Sequence, residues 1–373
     1  MELAALLYFA IGFLALLLLI VLINIMTAPR LENISGPVNL PLVSLLIPAR
    51  NEAKNIDRCL AGLLGQDYPN LEIIVLDDHS GDGTAQILAR LKAQHPQLQL
   101  LSGQPLPREW TGKNWACWQL FQASRGKILI FADADTRHAP EAVRKTVGWM
   151  QHQKLGMLSA FLAQETGTPA EKLVIPVIDI LIYSTLPLWL TYYGRSEKFA
   201  AANGQWIAFR RGDYQALGGH EAVRDRIVED MELMRRAKRR GISTLTLTGN
   251  ALLSCRMYRS AGEVWEGFSK NLFGIAGYNR TVFLGWLLVL WSAMVLPYFL
   301  LFLPGVRHLA VTAVGLNLLL RLLLALRLRH PFWVSLLLHP LGVALTGVIG
   351  LNSLFRAGRG MVRWKGREIP VRR

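Results

Sequence analysis

Between residues 40 and 275, short apolar runs alternate with amphipathic stretches, whereas both ends of the chain carry longer uncharged runs. The short runs, rich in Leu, Ile and Val, predict buried strands, and the amphipathic stretches predict helices. Strands are predicted at 42–47, 71–76, 98–101 and 128–131, and helices at 51–64, 84–93 and 115–123. Strands separated by helices of this length favour βαβ units, so we predict an α/β domain with a mostly parallel, Rossmann-like sheet.

The longer apolar runs predict transmembrane helices at both ends of the chain. Residues 3–26 contain no charged side chain, and a helix of that length reaches ~36 Å, enough to cross a hydrocarbon core of ~30 Å. Three further apolar stretches lie at 281–303, 308–328 and 332–355. The predicted domains are an N-terminal anchor (1–29), a cytoplasmic domain ending in an interfacial helix (40–275), C-terminal transmembrane helices (280–356) and a basic cytoplasmic tail (357–373).

The distribution of charge sets the expected orientation in the inner (plasma) membrane. Basic residues mark cytoplasmic segments, and the chain after residue 355 carries seven of them. An N-terminus outside the cell followed by four spans would place this tail outside as well, which conflicts with its charge. We therefore predict that one C-terminal stretch is re-entrant, interfacial or split. The places expected to break it are Pro297, Pro304, Arg321 and His339–Pro340.

Composition narrows the classes of function. The formal net charge is +15, but no nucleic-acid recognition motif accompanies it, so a membrane surface is the expected partner and nucleic acid is not. Cys59, Cys117 and Cys255 lie far apart without metal-ligand spacing. This spacing argues against a zinc site and against a disulfide framework, and it fits a reducing cytoplasm.

Two carboxylates at the end of a predicted strand are the central candidates for chemistry. Asp133 and Asp135 follow the apolar run 128–131, and residues i and i+2 of a strand point to the same side. Carboxylate oxygens suit Mg²⁺ or Mn²⁺ shared with substrate phosphates. The structural alternative is an ordinary solvated turn after a strand.

Other polar clusters follow the neighbouring strands, at the edge of a parallel sheet where ligands bind. Pro48, Arg50 and Glu52 follow the first strand, and Asp78 opens a glycine-containing turn after the second. An acidic group there can accept hydrogen bonds from a nucleotide base or a ribose, although a capped loop is the simpler alternative. Lys113 begins a predicted helix, where its charge and the helix N-terminus favour a diphosphate.

Two later segments add candidates. Glu229 and Asp230 stand at the start of a predicted helix that runs to about residue 240. Acids at this place also complement the helix dipole, which is the structural explanation for them. A predicted helix up to residue 275 has one apolar face and suits either the membrane surface or the protein core.

Taken together, the segments 48–52, 77–84, 112–113 and 133–135 resemble the nucleotide-sugar half of family 2 inverting glycosyltransferases, which have the GT-A fold. The resemblance covers about residues 40–275. It implies that Asp78 contacts the uracil of a UDP sugar and that Asp133 and Asp135 bind the divalent metal and the ribose. It also implies that Asp230 is the catalytic base.

The same resemblance identifies residues on the acceptor or diphosphate side. These are Gly204, Gln205, Glu229, Arg259, Trp265 and Lys270. Trp265 matches the end of a Gln-x-x-Arg-Trp motif whose arginine is absent here, so Arg259 and Lys270 are the candidates to contact the diphosphate. The segments 223–230, 256–258 and 265–271 together are most similar to membrane-type carotenoid (4,4'-diaponeurosporenoate-type) glycosyltransferases, followed by hopene-associated and ceramide glucosyltransferases.

The predicted function is transfer of a hexose from a nucleotide sugar to a membrane lipid or isoprenoid acceptor, such as a carotenoid, a hopanoid or a ceramide-like lipid. A processive polysaccharide synthase needs a polymer channel, and the few predicted spans argue against one. A membrane protein that only binds nucleotide sugar is the alternative outside enzymes. The presence of Asp133, Asp135 and Asp230 argues against it.

Overall fold

The computed structural model describes residues 2–358, with the backbone of residues 361–364 and 367–370. The chain forms two compact units, each built from separate segments. The α/β unit comprises Ala28–Glu165 and Leu188–Met257, and the helical unit comprises Met1–Thr27, Thr166–Pro187 and Tyr258–Arg373. The predicted domain 40–275 therefore differs from the α/β unit, because residues 166–187 and 258–275 belong to the helical unit.

Strands and helices alternate along the first half of the α/β unit, as the hydrophobic pattern predicts. The strands are β1 (Val43–Ala49), β2 (Leu71–Asp77), β3 (Leu98–Ser102), β4 (Ile128–Ala132), β5 (Thr136–His138), β6 (Met157–Phe161), β7 (Ala163–Gln164), β8 (Trp206–Arg210), β9 (Thr244–Thr248) and β10 (Leu253–Cys255). The helices are α2 (Ile56–Leu64), α3 (Thr84–Gln94), α4 (Gly112–Ala123), α5 (Ala142–His152), α7 (Leu190–Tyr193), α8 (Arg211–Leu217) and α9 (Glu229–Arg239).

A seven-stranded sheet forms the centre of the α/β unit, in the order β3-β2-β1-β4-β8-β6-β9. Strands β3, β2, β1 and β4 are parallel, and so are β6 and β9, whereas β8 runs antiparallel to both of its neighbours. A second sheet contains β5, β10 and β7. The parallel strands bring the residues that follow β2, β1 and β4 to one edge of the large sheet.

The two faces of this sheet bury separate hydrophobic clusters, which explains why apolar residues stand at successive positions of its central strands. Leu45, Ile47 and Val75 belong to one cluster, and Leu46 and Ile74 belong to the other. This alternation follows from the two-residue period of a strand. A sheet covered on both faces keeps its polar groups at the ends of the strands.

Two local predictions differ from the structure. The helix predicted from residue 51 begins at Ile56, because Asn51 has a φ of 53° in the left-handed region and starts a loop. Strand β4 ends at Ala132, so Asp133 and Asp135 lie in a turn rather than on a strand. Strand alternation therefore does not position these two carboxylates.

The helical unit contains the remaining α-helices, among them the long apolar ones. They are α1 (Glu2–Thr27), α6 (Pro169–Thr185), α10 (Ala261–Ile275), α11 (Arg280–Met294), α12 (Leu296–Leu300), α13 (Arg307–Leu328), α14 (Phe332–Leu337) and α15 (His339–Gly358). Helix α6 belongs here because its apolar residues pack within this unit. A Cβ on Gly342 would lie 2.6 Å from the carbonyl oxygen of Leu173, and Asn24 Nδ2 donates to the carbonyl oxygen of Tyr183 at 2.8 Å.

Among the described residues, four helical segments are long and apolar enough to cross a membrane: Glu2–Thr27, Arg280–Leu300, Pro304–Leu328 and His339–Gly358. Helix boundaries fall at two of the predicted places, at Val295, beside Pro297, and at Leu338, before His339–Pro340. That one C-terminal stretch is re-entrant, interfacial or split stays a prediction. A turn at Pro304 precedes α13, whereas Arg321 lies inside continuous helix.

The predicted basic tail 357–373 is described only in part, and at 361–364 and 367–370 only in its backbone. Two short strands, β11 (Met361–Trp364) and β12 (Arg367–Pro370), pair antiparallel there. The cytoplasmic position of the tail stays a prediction.

Candidate active site

Two loops at the edge of the sheet are joined by hydrogen bonds. The backbone N–H of Asn51 donates to Ser80 Oγ at 2.9 Å, and the N–H of Gly81 donates to Asn51 Oδ1 at 2.9 Å. The N–H of Glu52 donates to Thr84 Oγ1 at 2.8 Å. The loops after β1 and β2 therefore hold each other in place.

These loops contain the predicted nucleotide-binding residues. Asp78 is 5% exposed, and its N–H donates to the carbonyl oxygen of Ala49 at 2.8 Å. Arg50 donates to the carbonyl oxygens of Asp78 and His79, and Pro48 lies in β1 opposite Leu76. The structure thus brings Pro48, Arg50, Glu52 and Asp78 to adjoining strand ends, but their contact with a nucleotide stays a prediction.

The turn after β4 carries Asp133 and Asp135. Its shape is held by Thr136, whose N–H and hydroxyl both donate to the carbonyl oxygen of Asp133, at 3.3 and 2.6 Å. The N–H of Asp133 donates to the carbonyl oxygen of Gln205 at 3.3 Å. This bond connects the turn to the segment that precedes β8.

Lys113 connects the Asp133 turn to the start of α9. Its Nζ lies 2.8 Å from Asp133 Oδ1 and 2.9 Å from Glu229 Oε1. Burial opposes the charge of the ammonium group, but the Asp133 and Glu229 carboxylates outweigh it and hold the pKa of Lys113 well above its usual value. Burial likewise opposes the charge of Glu229, and Lys113 holds the pKa of Glu229 below its usual value. Lys113 and Glu229 are therefore both charged at neutral pH.

Asp230 is positioned by two backbone N–H groups. Its Oδ1 accepts from the N–H of Met231 and its Oδ2 from the N–H of Gly204, each at 2.7 Å. Burial and the neighbouring Glu229 carboxylate raise the pKa of Asp230 to about 6. A carboxylate with a pKa near neutrality suits a general base.

Gly204 lies where these groups meet. A Cβ at this position would come 3.2 Å from Lys113 Nζ, 3.3 Å from Glu229 Oε1 and 3.5 Å from the Asp230 Cβ. The structure therefore brings Asp133, Lys113, Glu229 and Asp230 into one cluster around a residue without a side chain. Sequence reasoning named each of these residues but did not predict that Lys113 would pair with two of them.

We expect Gly204→Ala to lower kcat by about 10-fold, because the methyl group would displace Lys113 and Glu229 by a few tenths of an ångström. The matched control is Gly212→Ala, since a Cβ on Gly212 meets nothing within 4 Å. Steady-state kinetics and thermal unfolding of both variants check this. A wild-type kcat in Gly204→Ala would show that the close approach of Lys113 and Glu229 to this position is unimportant for turnover.

Two buried thiols lie beside the Asp133 turn. Cys59 Sγ is 3.7 Å from the carbonyl oxygen of Asp133, and Gln205 Nε2 donates to Cys255 Sγ at 3.1 Å. Burial raises the pKa of both thiols, and the nearby acids, Glu52 among them, raise it further. The thiols stay protonated. Glu52 acts on the same two thiols as Asp133 and Asp135, so it lies near this turn.

The acids at this edge fit a divalent cation that substrate phosphates help to bind. Mg²⁺ is usually held by one or two carboxylates together with phosphate oxygens, and Asp133 and Asp135 supply two carboxylates from one turn. Within residues 2–358, no group of three or more His, Cys, Asp or Glu side chains is arranged to hold a metal ion. The metal role of Asp133 and Asp135 stays a prediction.

Sequence reasoning missed Asn114, which holds the loop before α9. Asn114 is fully buried, and its Nδ2 donates to the carbonyl oxygens of Val223 at 2.7 Å and Arg226 at 3.0 Å. Its position directly after Lys113, at the start of α4, was the only available signal. Asn114 thereby positions the loop that leads into Glu229 and Asp230.

Three predicted residues belong to the helical unit instead. Trp265 and Lys270 lie in α10, and Arg259 comes just before it. The N–H of Arg259 donates to Glu263 Oε2 at 2.7 Å. Their predicted contact with the acceptor or the diphosphate stays a prediction.

The sheet order and the acidic edge define a GT-A-like α/β fold. The structure is similar to that of the mannosyltransferase PcManGT from Pyrobaculum calidifontis in complex with GDP-Man and Mn²⁺, with a TM-score of 0.53 and 20% identity. The match covers 92% of this chain and 99% of that chain. This similarity confirms the predicted fold class.

Residues 44–183 match the model of the Glycosyl transferase family 2 family. This match covers the part of the chain that contains Pro48, Asp78, Lys113 and Asp133, on which the predicted resemblance rests.

Curated relatives share more of the chain than this domain. The 4,4'-diaponeurosporenoate glycosyltransferase of Staphylococcus haemolyticus (strain JCSC1435) is 27% identical over 67% of this chain and 65% of its own length. The protein of the same name from Staphylococcus aureus (strain USA300) is 26% identical over 88% of both chains. The match to the first relative thus spans slightly less than two thirds of its length, and the match to the second spans most of it.

Proposed function

We propose that the protein is a membrane-bound, inverting glycosyltransferase that transfers a hexose from a UDP sugar to a lipid acceptor such as a carotenoid. The observation that carries this proposal is the convergence of Asp133, Lys113, Glu229 and Asp230 around Gly204. This cluster places Lys113, which we propose contacts the diphosphate, near Asp230, the proposed base. It lies at the edge of the sheet, where parallel sheets bind their ligands.

On the donor side, each proposed role follows from position. Asp78 accepts hydrogen bonds from the nucleotide base, with Pro48, Arg50 and Glu52 beside it. Lys113, whose side chain is 37% exposed, contacts the diphosphate. Asp133 and Asp135 hold Mg²⁺ or Mn²⁺, which supplies positive charge to the leaving diphosphate. The bound GDP-Man and Mn²⁺ of the Pyrobaculum enzyme support a nucleotide sugar and a divalent metal.

On the acceptor side, Asp230 is the proposed base. The acceptor oxygen forms a bond to the anomeric carbon while the bond from that carbon to the diphosphate breaks, which inverts the carbon. A hydroxyl acceptor gives its proton to Asp230. A carboxylate acceptor is already ionised, and Asp230 then orients it.

The helices support an acceptor that resides in the bilayer. Four segments are long and apolar enough to cross a membrane, and the relatives are named for a carotenoid acid. We propose a multi-pass protein of the inner membrane with the α/β unit in the cytoplasm, where the water-soluble donor is available.

The test is transfer of labelled sugar by the full-length protein in membranes. UDP-glucose and GDP-mannose are supplied separately, with a carotenoid acid, a hopanoid or a ceramide as acceptor. We expect label from UDP-glucose in the lipid phase, in a product one hexose heavier by mass spectrometry and dependent on Mn²⁺. Labelled polymer would indicate a polysaccharide synthase, and nucleotide binding without any product would indicate a binding protein.

A further inference from the structure

The helical unit buries an arginine inside one of its longest helices. Arg321 of α13 is 2% exposed. Its Nε donates to the carbonyl oxygen of Ser335 at 3.0 Å, and its Nη1 donates to the carbonyl oxygen of Pro176 at 3.1 Å. A guanidinium carries five N–H donors, so these two bonds leave three for another acceptor.

The charge of Arg321 is compensated only in part by the protein. It forms no ion pair in the part of the chain that the structure describes, and its hydrogen bonds there go to backbone carbonyls. Asp179 acts on it electrostatically, but that carboxylate is already hydrogen bonded to His330 at 2.9 Å. A buried cation without a close anion is costly, which makes a functional partner the first explanation to test.

Polar atoms from three other helices are buried near this charge without a partner among the described residues. They are Tyr298 Oη of α12, Ser335 Oγ of α14, and both ring nitrogens of His339 of α15. Ser335 and His339 are each 2% exposed, and the rings of Tyr298 and His339 lie 6.5 Å apart. Buried polar groups are nearly always hydrogen bonded, so these atoms are available to bind a ligand.

The chemistry of the set favours an anion. Each of these groups can donate a hydrogen bond, through a hydroxyl, an imidazole N–H or a guanidinium N–H. Several donors around one positive charge match the oxygens of a carboxylate or a phosphate. The apolar helices around the set suit the hydrocarbon part of an amphiphile.

We propose that Arg321, Tyr298, Ser335 and His339 form a binding site for the carboxylate or phosphate group of an amphiphilic lipid. The site goes beyond the proposed transfer reaction, because binding there needs neither nucleotide nor metal. Occupancy would satisfy the buried donors and hold α12, α13, α14 and α15 together.

The experiment is native mass spectrometry of the full-length protein in detergent. The anionic probes are retinoic acid, which is a polyene carboxylate, and phosphatidylglycerol. Retinol and phosphatidylcholine are the matched controls, because each has a similar hydrocarbon part and no net negative charge. We expect wild-type protein to retain at least one anionic probe, and Arg321→Met to bind it at least about 10-fold more weakly. Arg307→Met, which changes an exposed arginine of the same helix, should bind like wild type.

The two anionic probes separate the sources of the ligand. Preferential retention of retinoic acid assigns the site to a carboxylate lipid, and preferential retention of phosphatidylglycerol assigns it to a phospholipid. Equal binding by Arg321→Met and wild type, or no binding of either anionic probe by wild type, would overturn the proposal. If Arg321→Met does not fold, Tyr298→Phe and Ser335→Ala each remove a hydroxyl without changing charge, and unchanged binding in both overturns it equally. Transfer activity is not measured, so failure here leaves the proposed reaction untouched.

Discussion

Asp230→Asn is expected to lower kcat for a hydroxyl acceptor by about 10²–10⁴-fold, the usual contribution of a general base. The amide keeps the shape of the side chain and can still accept one of the two backbone N–H bonds from Gly204 and Met231. Nucleotide binding should change little, because Asp230 contacts the acceptor in the proposed reaction. Single-turnover kinetics and titration calorimetry with UDP and Mn²⁺ measure the two effects separately.

The pH profile gives a second readout of the same variant. Because the pKa of Asp230 is raised to about 6, the base is protonated below that pH and the wild-type rate should fall there. The acidic limb should disappear from the residual activity of Asp230→Asn. Asp225→Asn, in the loop just before α9, serves as the control and should keep both the rate and the limb. Wild-type turnover in Asp230→Asn with a hydroxyl acceptor would remove Asp230 from the role of base.

The loss of kcat in Asp230→Asn should depend on the chemistry of the acceptor. A carboxylate acceptor has no proton to give, so Asp230→Asn should then cost far less than with a hydroxyl acceptor. The ratio of the two losses distinguishes a base from a residue that only orients the acceptor.

Asp133→Asn combined with Asp135→Asn is expected to weaken metal-dependent UDP binding by at least about 100-fold, since even the partners of metal ligands contribute 10–100-fold to metal affinity. Titration calorimetry with UDP, in Mn²⁺ and then in EDTA, measures the effect. Wild-type protein should lose affinity in EDTA, and the double variant should be insensitive to it.

The control for the double variant is Asp57→Asn. Asp57 lies on α2 and pairs with Arg90 at the surface, with its side chain 57% exposed, so its loss should leave UDP affinity unchanged. Wild-type protein that binds UDP equally well in EDTA would contradict the metal role of Asp133 and Asp135. Loss of binding in EDTA but not in the double variant would move the metal to other ligands.

The hydrophobic pattern predicted the alternating elements of the α/β unit well, because buried strands and amphipathic helices leave direct periodic signals. Strand β2 and helix α3 lie within one residue of their predicted ends. The predicted start of α2 was wrong, because the left-handed backbone of Asn51 depends on hydrogen bonds to the loop after β2. Helix α6 was missed as part of the helical unit, because it lies in sequence between two segments of the α/β unit.

For the candidate site, the sequence identified the residues, and the fold determined their partners. The sequence shows acidic residues and a lysine after its apolar runs, because polar side chains can reach solvent or a ligand where a buried strand ends. The pairing of Lys113 with Asp133 and Glu229 is not visible, because these residues are far apart in sequence and meet only when α4, β4 and α9 pack together.

The sequence alone determined the class of fold, the long apolar helices and the set of acidic residues, because each depends on local composition and spacing. Only the tertiary structure decided which charges pair and that residues 166–187 join the helical unit. It also showed that a side chain at position 204 would crowd Lys113 and Glu229. Those features depend on contacts between distant segments, whose energies no local pattern records. The buried donors around Arg321 belong to the same group, since burial is a property of the packed helices and not of any one of them.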